Sequence, residues 1–549
     1  MDLNHVFKLL KDSSRFYLYE HKSFTLIYDC YINKFYQINT KSFKIIQNAI
    51  LNNKEFSNNI RINYEIHEIL KKFSQIVATQ EILPMINENS ENNIQVMINT
   101  GTTCNLDCTY CYRNKQSNIK KSASQIENEI EYVISNFTKD EYVFSLSMTS
   151  ESSLDYSEIS KIINKYYSKD YYIFHETDIK DVASLIRFLK LNHFPYLHKL
   201  DKGILEYLNT LLKDSKLINK INIPDNIREE NNKKIAPFNI TKEEWTYFRM
   251  NRYILNKILS PFLYNRKIPI ITFWFMSNGI NLSKDYITLV KKCNIKPFWI
   301  SIDGCKTKND INRKFSSSNL GSYNYIYKTI HKLKKNHISL HASSVLNIHN
   351  YYPLEIAKIT KKLGFGEISM ALIHSSSHVS FDKTSILKLL HGYDILFNKL
   401  ISDINKKKYD LLKYLKNDLS ISFLKIILCN KNVILRCSYH KQLVIDNNGY
   451  FYNCLYFCDN TNFSIRNISD YSKTSPESFV FNRSPCNSCW ARFLCGGTCF
   501  YNSYYTNGDI NSIDEVECIL RKYLIKKNIE LFGCIWEKKL DNKIKNIIL

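Results

Sequence analysis

Three cysteines within eight residues, Cys104, Cys108 and Cys111, constrain this chain more than any other feature. They stand in the spacing C-x3-C-x2-C, in the stretch Thr103-Cys104-Asn105-Leu106-Asp107-Cys108-Thr109-Tyr110-Cys111. Just upstream, Ile94-Gln95-Val96-Met97-Ile98 alternates like a half-buried strand. A strand that opens into a cysteine-dense loop can seat a metal cluster at the edge of a sheet. Three thiolates at this pitch can ligate three irons of a cubane [4Fe–4S] cluster, which ordinarily takes four cysteines. The fourth iron then stays open to a small molecule. A disulfide site and part of a zinc site are the other readings of such a triplet. Zinc at finger-like spacing wants a second ligand pair close downstream, and none follows. Disulfides require an oxidising compartment.

The N-terminus, MDLNHVFKLLKDSSRF, has neither a long apolar core nor a small-residue cleavage site, so it does not read as a secretory signal. No run of about 18 apolar residues occurs, so no membrane span is expected and the chain reads as cytoplasmic. Sixteen cysteines in that compartment point to metal or redox chemistry before disulfides. The formal charge of +23 invites a nucleic-acid reading. The lysines are scattered, however, and no nucleic-acid-binding motif accompanies them. We expect solvated basic faces that can steer an acidic peptide.

At 549 residues the chain has room for three or four domains of about 150 residues. Residues 1–85 read as short strands (Phe16 to Tyr19, then Phe24 to Ile38 with a turn at Asn33-Lys34). A helix opens at Thr40, and a second carries Ile66, Ile69, Leu70 and Phe73 on one face. From residue 90 to 374, strands and helices alternate, which implies a parallel sheet. Ser122 and Gln125 form a capping-box pattern ahead of the stripe Ile126, Ile130, Val133 and Phe137. The alternation breaks at about 156–268, which reads as an insertion with helical stretches. It resumes at Ile270 to Met276, followed by Ser277-Asn278-Gly279, and then by Ser301-Ile302-Asp303-Gly304 and Arg313.

With these motifs in view, the chain resembles the radical S-adenosylmethionine (radical SAM) enzymes. The triplet, with the aromatic Tyr110 before its third cysteine, matches their cluster loop. Ser277-Asn278-Gly279 matches their Thr-Asn-Gly at the third strand, and the Ser301–Gly304 stretch matches Ser-hydrophobic-Asp-Gly. The resemblance implies a partial (β/α)6 TIM-like barrel. It also implies a [4Fe–4S] cluster on Cys104, Cys108 and Cys111 whose open iron chelates S-adenosylmethionine. Tyr110, Glu151, Asn278, Ser301, Asp303 and Arg313 become candidate cofactor contacts. Glu151 is what remains here of the usual Gly-Gly-Glu-Pro, since Thr149-Ser150-Glu151-Ser152 stands in its place. No catalytic residue is assigned.

The C-terminal third carries a second cysteine field. Cys437 and Cys454 flank Gly449, followed by Cys486-x2-Cys489-x5-Cys495-x3-Cys499 and then Cys518. Leu443-Val444-Ile445, Asn447-Asn448-Gly449 and Tyr450 to Cys454 read as a hairpin. These spacings match the seven-cysteine SPASM pattern of radical SAM relatives, and Cys429 stands near the place of an eighth. The resemblance implies two auxiliary [4Fe–4S] clusters in a domain spanning 425–535. Cys429, Cys437, Cys454 and Cys499 hold one; Cys486, Cys489, Cys495 and Cys518 hold the other. A zinc ribbon leaves the x5 and x3 spacings unexplained. Cys30, Cys293, Cys305, Cys458 and Cys534 fit no pattern.

Relatives with this layout mature ribosomally made peptides, and the 1–85 unit resembles their winged-helix-like leader-binding module, a small α+β domain. The implied function is a cytoplasmic oxidoreductase that cross-links a precursor peptide. Its electrons would come from a reductant such as flavodoxin or ferredoxin, with no nucleic acid or membrane involved. Sulfatase-maturase-like protein oxidases are an alternative, but they carry Asp after the second SPASM cysteine, where this chain has Leu455. A catalytically silent, metal-held peptide-binding protein is the other.

Overall fold

A computed structural model describes residues 14–41, 43–44, 93–101, 104–111, 120–137, 141–147, 158–163, 172–173, 270–280, 282–292, 297–436, 442–458, 460–465 and 476–549. Glu151, Cys293, Cys437, the second N-terminal helix and most of the 156–268 insertion lie outside these residues.

The N-terminal strands β1 (Phe16–Glu20), β2 (Phe24–Asp29) and β3 (Lys34–Asn39) form an antiparallel sheet in that order. Asn33 takes φ 50° at the expected turn and accepts the Tyr28 hydroxyl at 2.9 Å. All six residues of β2 are buried, where a two-faced strand would alternate. The reason is tertiary. Tyr17 stacks on Trp490 at 4.3 Å, and Phe35 meets Phe532 at 5.2 Å. A buried Arg15–Asp29 ion pair of 2.9 Å closes the other side.

The main sheet is built on six strands: β4 (Asn93–Asn99), β6 (Glu141–Ser147), β8 (Ile270–Ser277), β9 (Phe298–Ser301), β11 (Leu340–Leu346) and β12 (Glu367–Leu372). They lie side by side in chain order, every pair parallel. Helices α1 (Ala123–Asn136), α2 (Lys284–Lys292), α3 (Lys306–Asn312), α4 (Tyr323–Lys335) and α5 (Pro353–Leu363) fill the connections. The capping box of α1 forms as its sequence predicts, with Ser122 and Gln125 bonded reciprocally.

Strand alternation decides which face meets the helices. Phe273, Phe275, Phe298, Ile300, Ala342 and Leu346 are buried, whereas Trp274, Met276, Trp299, Ser301, Ser343 and Val345 are half-buried. The second set is the inner face, and the C-terminal ends of the strands carry the motifs singled out above. Open parallel α/β sheets place ligand groups at that end.

Three features depart from the pattern expected of the sequence. The short strand β7 (Tyr172–Ile173), from within the insertion, adds to β8 in parallel. The stretch after β12 is helical, with α6 (Ile386–Asn405), α7 (Asp410–Tyr414) and α8 (Leu419–Leu428). The expected hairpin forms, as β13 (Gln442–Ile445) and β14 (Phe451–Tyr452) around Gly449, but β13 also pairs in parallel with β4. The C-terminal region is thereby continuous with the main sheet. It ends in α9 (Arg492–Cys495), α10 (Phe500–Asn507), α11 (Glu515–Glu537) and α12 (Asp541–Ile548). Both α6 and α8 pack on α11. No described helix is long and apolar enough to cross a membrane.

Candidate cluster and cofactor site

The cysteine loop follows β4 and is pinned by pairing that its spacing does not announce. Within it, β5 (Leu106–Cys108) lies antiparallel to β10 (Arg313–Phe315), with Arg313 opposite Cys108. The Thr109 amide donates to the Asn312 carbonyl at 2.9 Å, and the Ser316 amide to the Asn105 carbonyl at 3.1 Å. The Cys111 amide closes a turn onto the Cys108 carbonyl at 3.1 Å. The Leu106 amide points at the Cys104 sulfur from 3.5 Å. Backbone donors aimed at sulfur suit a thiolate better than a thiol.

Cys104 and Cys108 are half-buried and Cys111 is exposed. Burial pushes the Cys108 thiol up to about 11; the nearby Cys111 and Cys104 thiols and Asp303 add to this, and Arg313 opposes it. The three sulfurs therefore share one electrostatic environment. Among the described residues, no three His, Cys, Asp or Glu side chains are arranged to hold a single metal ion, and every described cysteine is free of disulfide bonding. A donor set of three soft sulfurs on one short loop fits an iron–sulfur cluster.

Asp303, Arg313 and Tyr110 come together beneath the loop. The Tyr110 hydroxyl donates to Asp303 Oδ2 at 2.6 Å and accepts from the Arg313 guanidinium at 3.1 Å. Asp303 Oδ1 accepts the Val345 amide at 2.9 Å, and its own amide donates to Asn309 Oδ1 at 3.3 Å. Burial raises the Asp303 carboxyl, and Arg313, Tyr110 and the Val345 amide offset this in part. Tyr110, a candidate cofactor contact on the sequence, uses its hydroxyl to tie the cysteine loop to the ends of β9 and β11. Arg313 Nε is buried without a hydrogen-bond partner.

Asn278 reaches the same loop from the end of β8. Its amide nitrogen donates to Asn105 Oδ1 at 2.7 Å and lies 3.8 Å from the Cys104 sulfur. Gly279 follows with φ +78°, and a Cβ there would come within 2.9 Å of Ile300 Cγ2. The Asn-Gly pair is thus explained: glycine allows the turn, and the turn aims the asparagine. Ser301 stands half-buried at the end of β9, paired in register with Ser343.

The second field converges as well. Cys486 and Cys489 flank a short 3-10 turn, Cys495 ends α9, Cys499 caps α10, Cys518 lies in the first turn of α11 and Cys429 caps α8. Burial pushes Cys486 up to about 12, aided by the charges of Cys495, Cys489 and Cys518 and opposed by Arg483. Burial likewise takes Cys518 to about 11, with Lys522 lowering it and Cys495 and Cys489 raising it. These four thiols are near enough to act on one another electrostatically. Of the other four, Cys437 lies outside the described residues. Cys30 donates to the Ser14 carbonyl at 3.4 Å in the N-terminal sheet, far in sequence from either field. Sequence reasoning missed the buried arginines Arg483 and Arg492 and their half-buried neighbours Arg436 and Arg521. Nothing distinguishes them from the scattered surface cations until the fold encloses them.

No known family's profile matches the chain, and no curated protein does. Solved structures match. A polyhistidine-tagged anSMEcpe structure with bound AdoMet shares 13% identity over 83% of this chain and 98% of that one, at a TM-score of 0.50. Native anSMEcpe with AdoMet and Kp18Cys peptide shares 13% over 83% and 99%, at 0.48. Streptococcus suis SuiB bound to precursor peptide SuiA shares 11% over 92% and 99%, at 0.40. The first of these likenesses carries a statement of fold: the chain is an α/β protein that shares the fold of anSMEcpe.

Proposed function

We propose that this chain is a radical SAM enzyme with a SPASM-type C-terminal domain, and that it modifies a ribosomally made peptide. The observation that supports this most is the loop of Cys104, Cys108 and Cys111, held at the C-terminal end of a parallel sheet by β10 and by the Tyr110–Asp303–Arg313 network. Such a loop presents three thiolates to a cluster and leaves one iron for S-adenosylmethionine, the AdoMet found bound in the anSMEcpe structure of like fold. Bound there, a cluster would supply the one electron for reductive cleavage of S-adenosylmethionine to methionine and a 5′-deoxyadenosyl radical. Asn278 steadies Cys104 and Asn105, Tyr110 fixes the loop's depth, and Ser301, Asp303 and Glu151 are proposed contacts of the cofactor. Cys429, Cys437, Cys454 and Cys499 are the proposed ligands of one auxiliary cluster, and Cys486, Cys489, Cys495 and Cys518 of the other.

A peptide is the substrate class that suits the N-terminal unit. Among the described residues, β3 pairs on one side only, with β2, so its outer edge can accept an extended strand. The sulfatase-maturase-like alternative lacks its acid at Leu455. An external one-electron reductant of the flavodoxin or ferredoxin type completes the reaction.

Anaerobically reconstituted protein given S-adenosylmethionine and dithionite should release 5′-deoxyadenosine, and C104A/C108A/C111A protein should release none. A cluster-replete wild type that leaves the cofactor uncleaved overturns the proposal. Peptide affinity that survives in the triple variant, alongside an inactive wild type, supports the silent binding protein instead. A short cysteine-rich reading frame beside this one is the expected precursor.

A further inference from the structure

Resting on the cluster reading above, we propose that Arg483, Arg436, Arg521 and Lys522 form a cationic shell around the cluster of Cys486, Cys489, Cys495 and Cys518. We propose that this shell raises that cluster's reduction potential.

Arg483 is the centre of the argument. It is 2% exposed, and every hydrogen-bond acceptor it meets is neutral. Its Nε donates to the Asn511 carbonyl at 2.8 Å, and its terminal nitrogens to the Thr498 carbonyl and hydroxyl, the Ser503 hydroxyl and the Ser512 carbonyl. An enclosed guanidinium with no carboxylate in direct contact is costly, and Cys486, Glu517 and Cys495 are the neighbours whose charge would favour it. Arg483 lies three residues before Cys486, and its guanidinium crowds Gly497, whose carbonyl meets the Cys495 sulfur at 3.9 Å.

The other cations feel the same sulfurs: Arg436 and Arg521 the Cys495 thiol, and Lys522 those of Cys489, Cys518 and Cys486. The Arg436 amide donates to the Gly496 carbonyl at 2.9 Å, one residue past Cys495, and its guanidinium stacks 4.4 Å over Phe423. Arg521 and Lys522 follow Cys518 by three and four residues on α11, which sets them on its face. Glu517 is the carboxylate placed among them; it pairs with Arg521 at 2.7 and 2.5 Å and accepts the Cys499 amide at 2.9 Å. Asp514, a turn earlier, bonds the Glu517 amide at 2.7 Å and the Ser375 hydroxyl at 2.7 Å. Arg521 Nη1 is buried without a hydrogen-bond partner.

Four cations against one carboxylate among the sulfurs leave an excess of positive charge. Neutral thiols or disulfides do not balance it, whereas four thiolates on a cluster do. The same excess favours the reduced, more negative cluster, and net charge near a cluster is a main determinant of its potential. The site of Cys104, Cys108 and Cys111 differs, because there Arg313 is matched by Asp303 across Tyr110.

The test is potentiometric titration followed by electron paramagnetic resonance, in a C104A/C108A/C111A background that removes the first cluster's signal. R483Q should lower one auxiliary potential by at least tenfold in the reduced-to-oxidised ratio, about 59 mV for one electron. R483K should restore most of it. Unaltered iron, sulfide and potential in R483Q overturn the shell. If R483Q does not retain iron, K522Q, at a half-exposed position, decides: a threefold fall, about 28 mV on the same scale, is expected, and no movement overturns the shell. A wild type without any iron–sulfur signal overturns the cluster reading itself.

Discussion

Tyr110 shows how a single hydroxyl supports the site. It joins a buried carboxylate to a buried guanidinium, and through them joins the cysteine loop to β9 and β11. Tyr110→Phe keeps the ring and removes the joint. Asp303 Oδ2 and the Arg313 guanidinium then lose a partner in the interior, at a cost of about 1–3 kcal/mol. Urea unfolding of the iron-free protein should show a lower midpoint at an unchanged slope. A variant as stable as the parent would show that water reaches these groups. Gly279 makes the complementary case, since its left-handed φ and the nearness of Ile300 leave room for no other side chain.

At the scale of elements, β12 is anchored at its first residue. Glu367 accepts from Asn417 at 2.6 Å and pairs with Lys416 at 2.5 Å, while His341 on β11 stands 3.5 Å away. Burial alone would raise its carboxyl; the nearby His341 ring and the Lys416 ammonium outweigh that and bring it down to about 2. A depressed carboxylate stabilises the fold fully above its unfolded value, and that stability is lost as pH falls through its folded value. Glu367 therefore contributes at neutral pH and ceases to contribute between about pH 4.5 and pH 2. Glu367→Gln should lose about 1–3 kcal/mol at pH 7 and show a shallower acid limb in pH-dependent unfolding. Parallel acid limbs in the two proteins would exclude this role.

Over the whole molecule, the two halves share one sheet. β13 covers the edge of β4, and the N-terminal sheet rests on Trp490 and on α11, where Gly533 lets Tyr19 approach. The C-terminal region is thus part of the core. A chain ending at residue 374 should expose the β4 edge, and open strand edges recruit other chains. Gel filtration is expected to show aggregates or large oligomers. A soluble monomer with native circular dichroism would show that the main sheet is self-sufficient.

The sequence alone determined the parts that local spacing encodes. The capping box at Ser122 and the strand–helix alternation are patterns of near neighbours, and both recur in the structure where their spacing put them. Near-neighbour chemistry also chose Gly279, because a left-handed turn admits little else. The tertiary structure decided what depends on distant segments meeting. Arg313 opposite Cys108, β13 beside β4, the burial of both faces of β2 and the enclosure of Arg483 join residues tens to hundreds of positions apart. A scattered lysine and an enclosed arginine read alike along the chain. Only packing sets their desolvation, and desolvation is what turns a surface charge into part of a site.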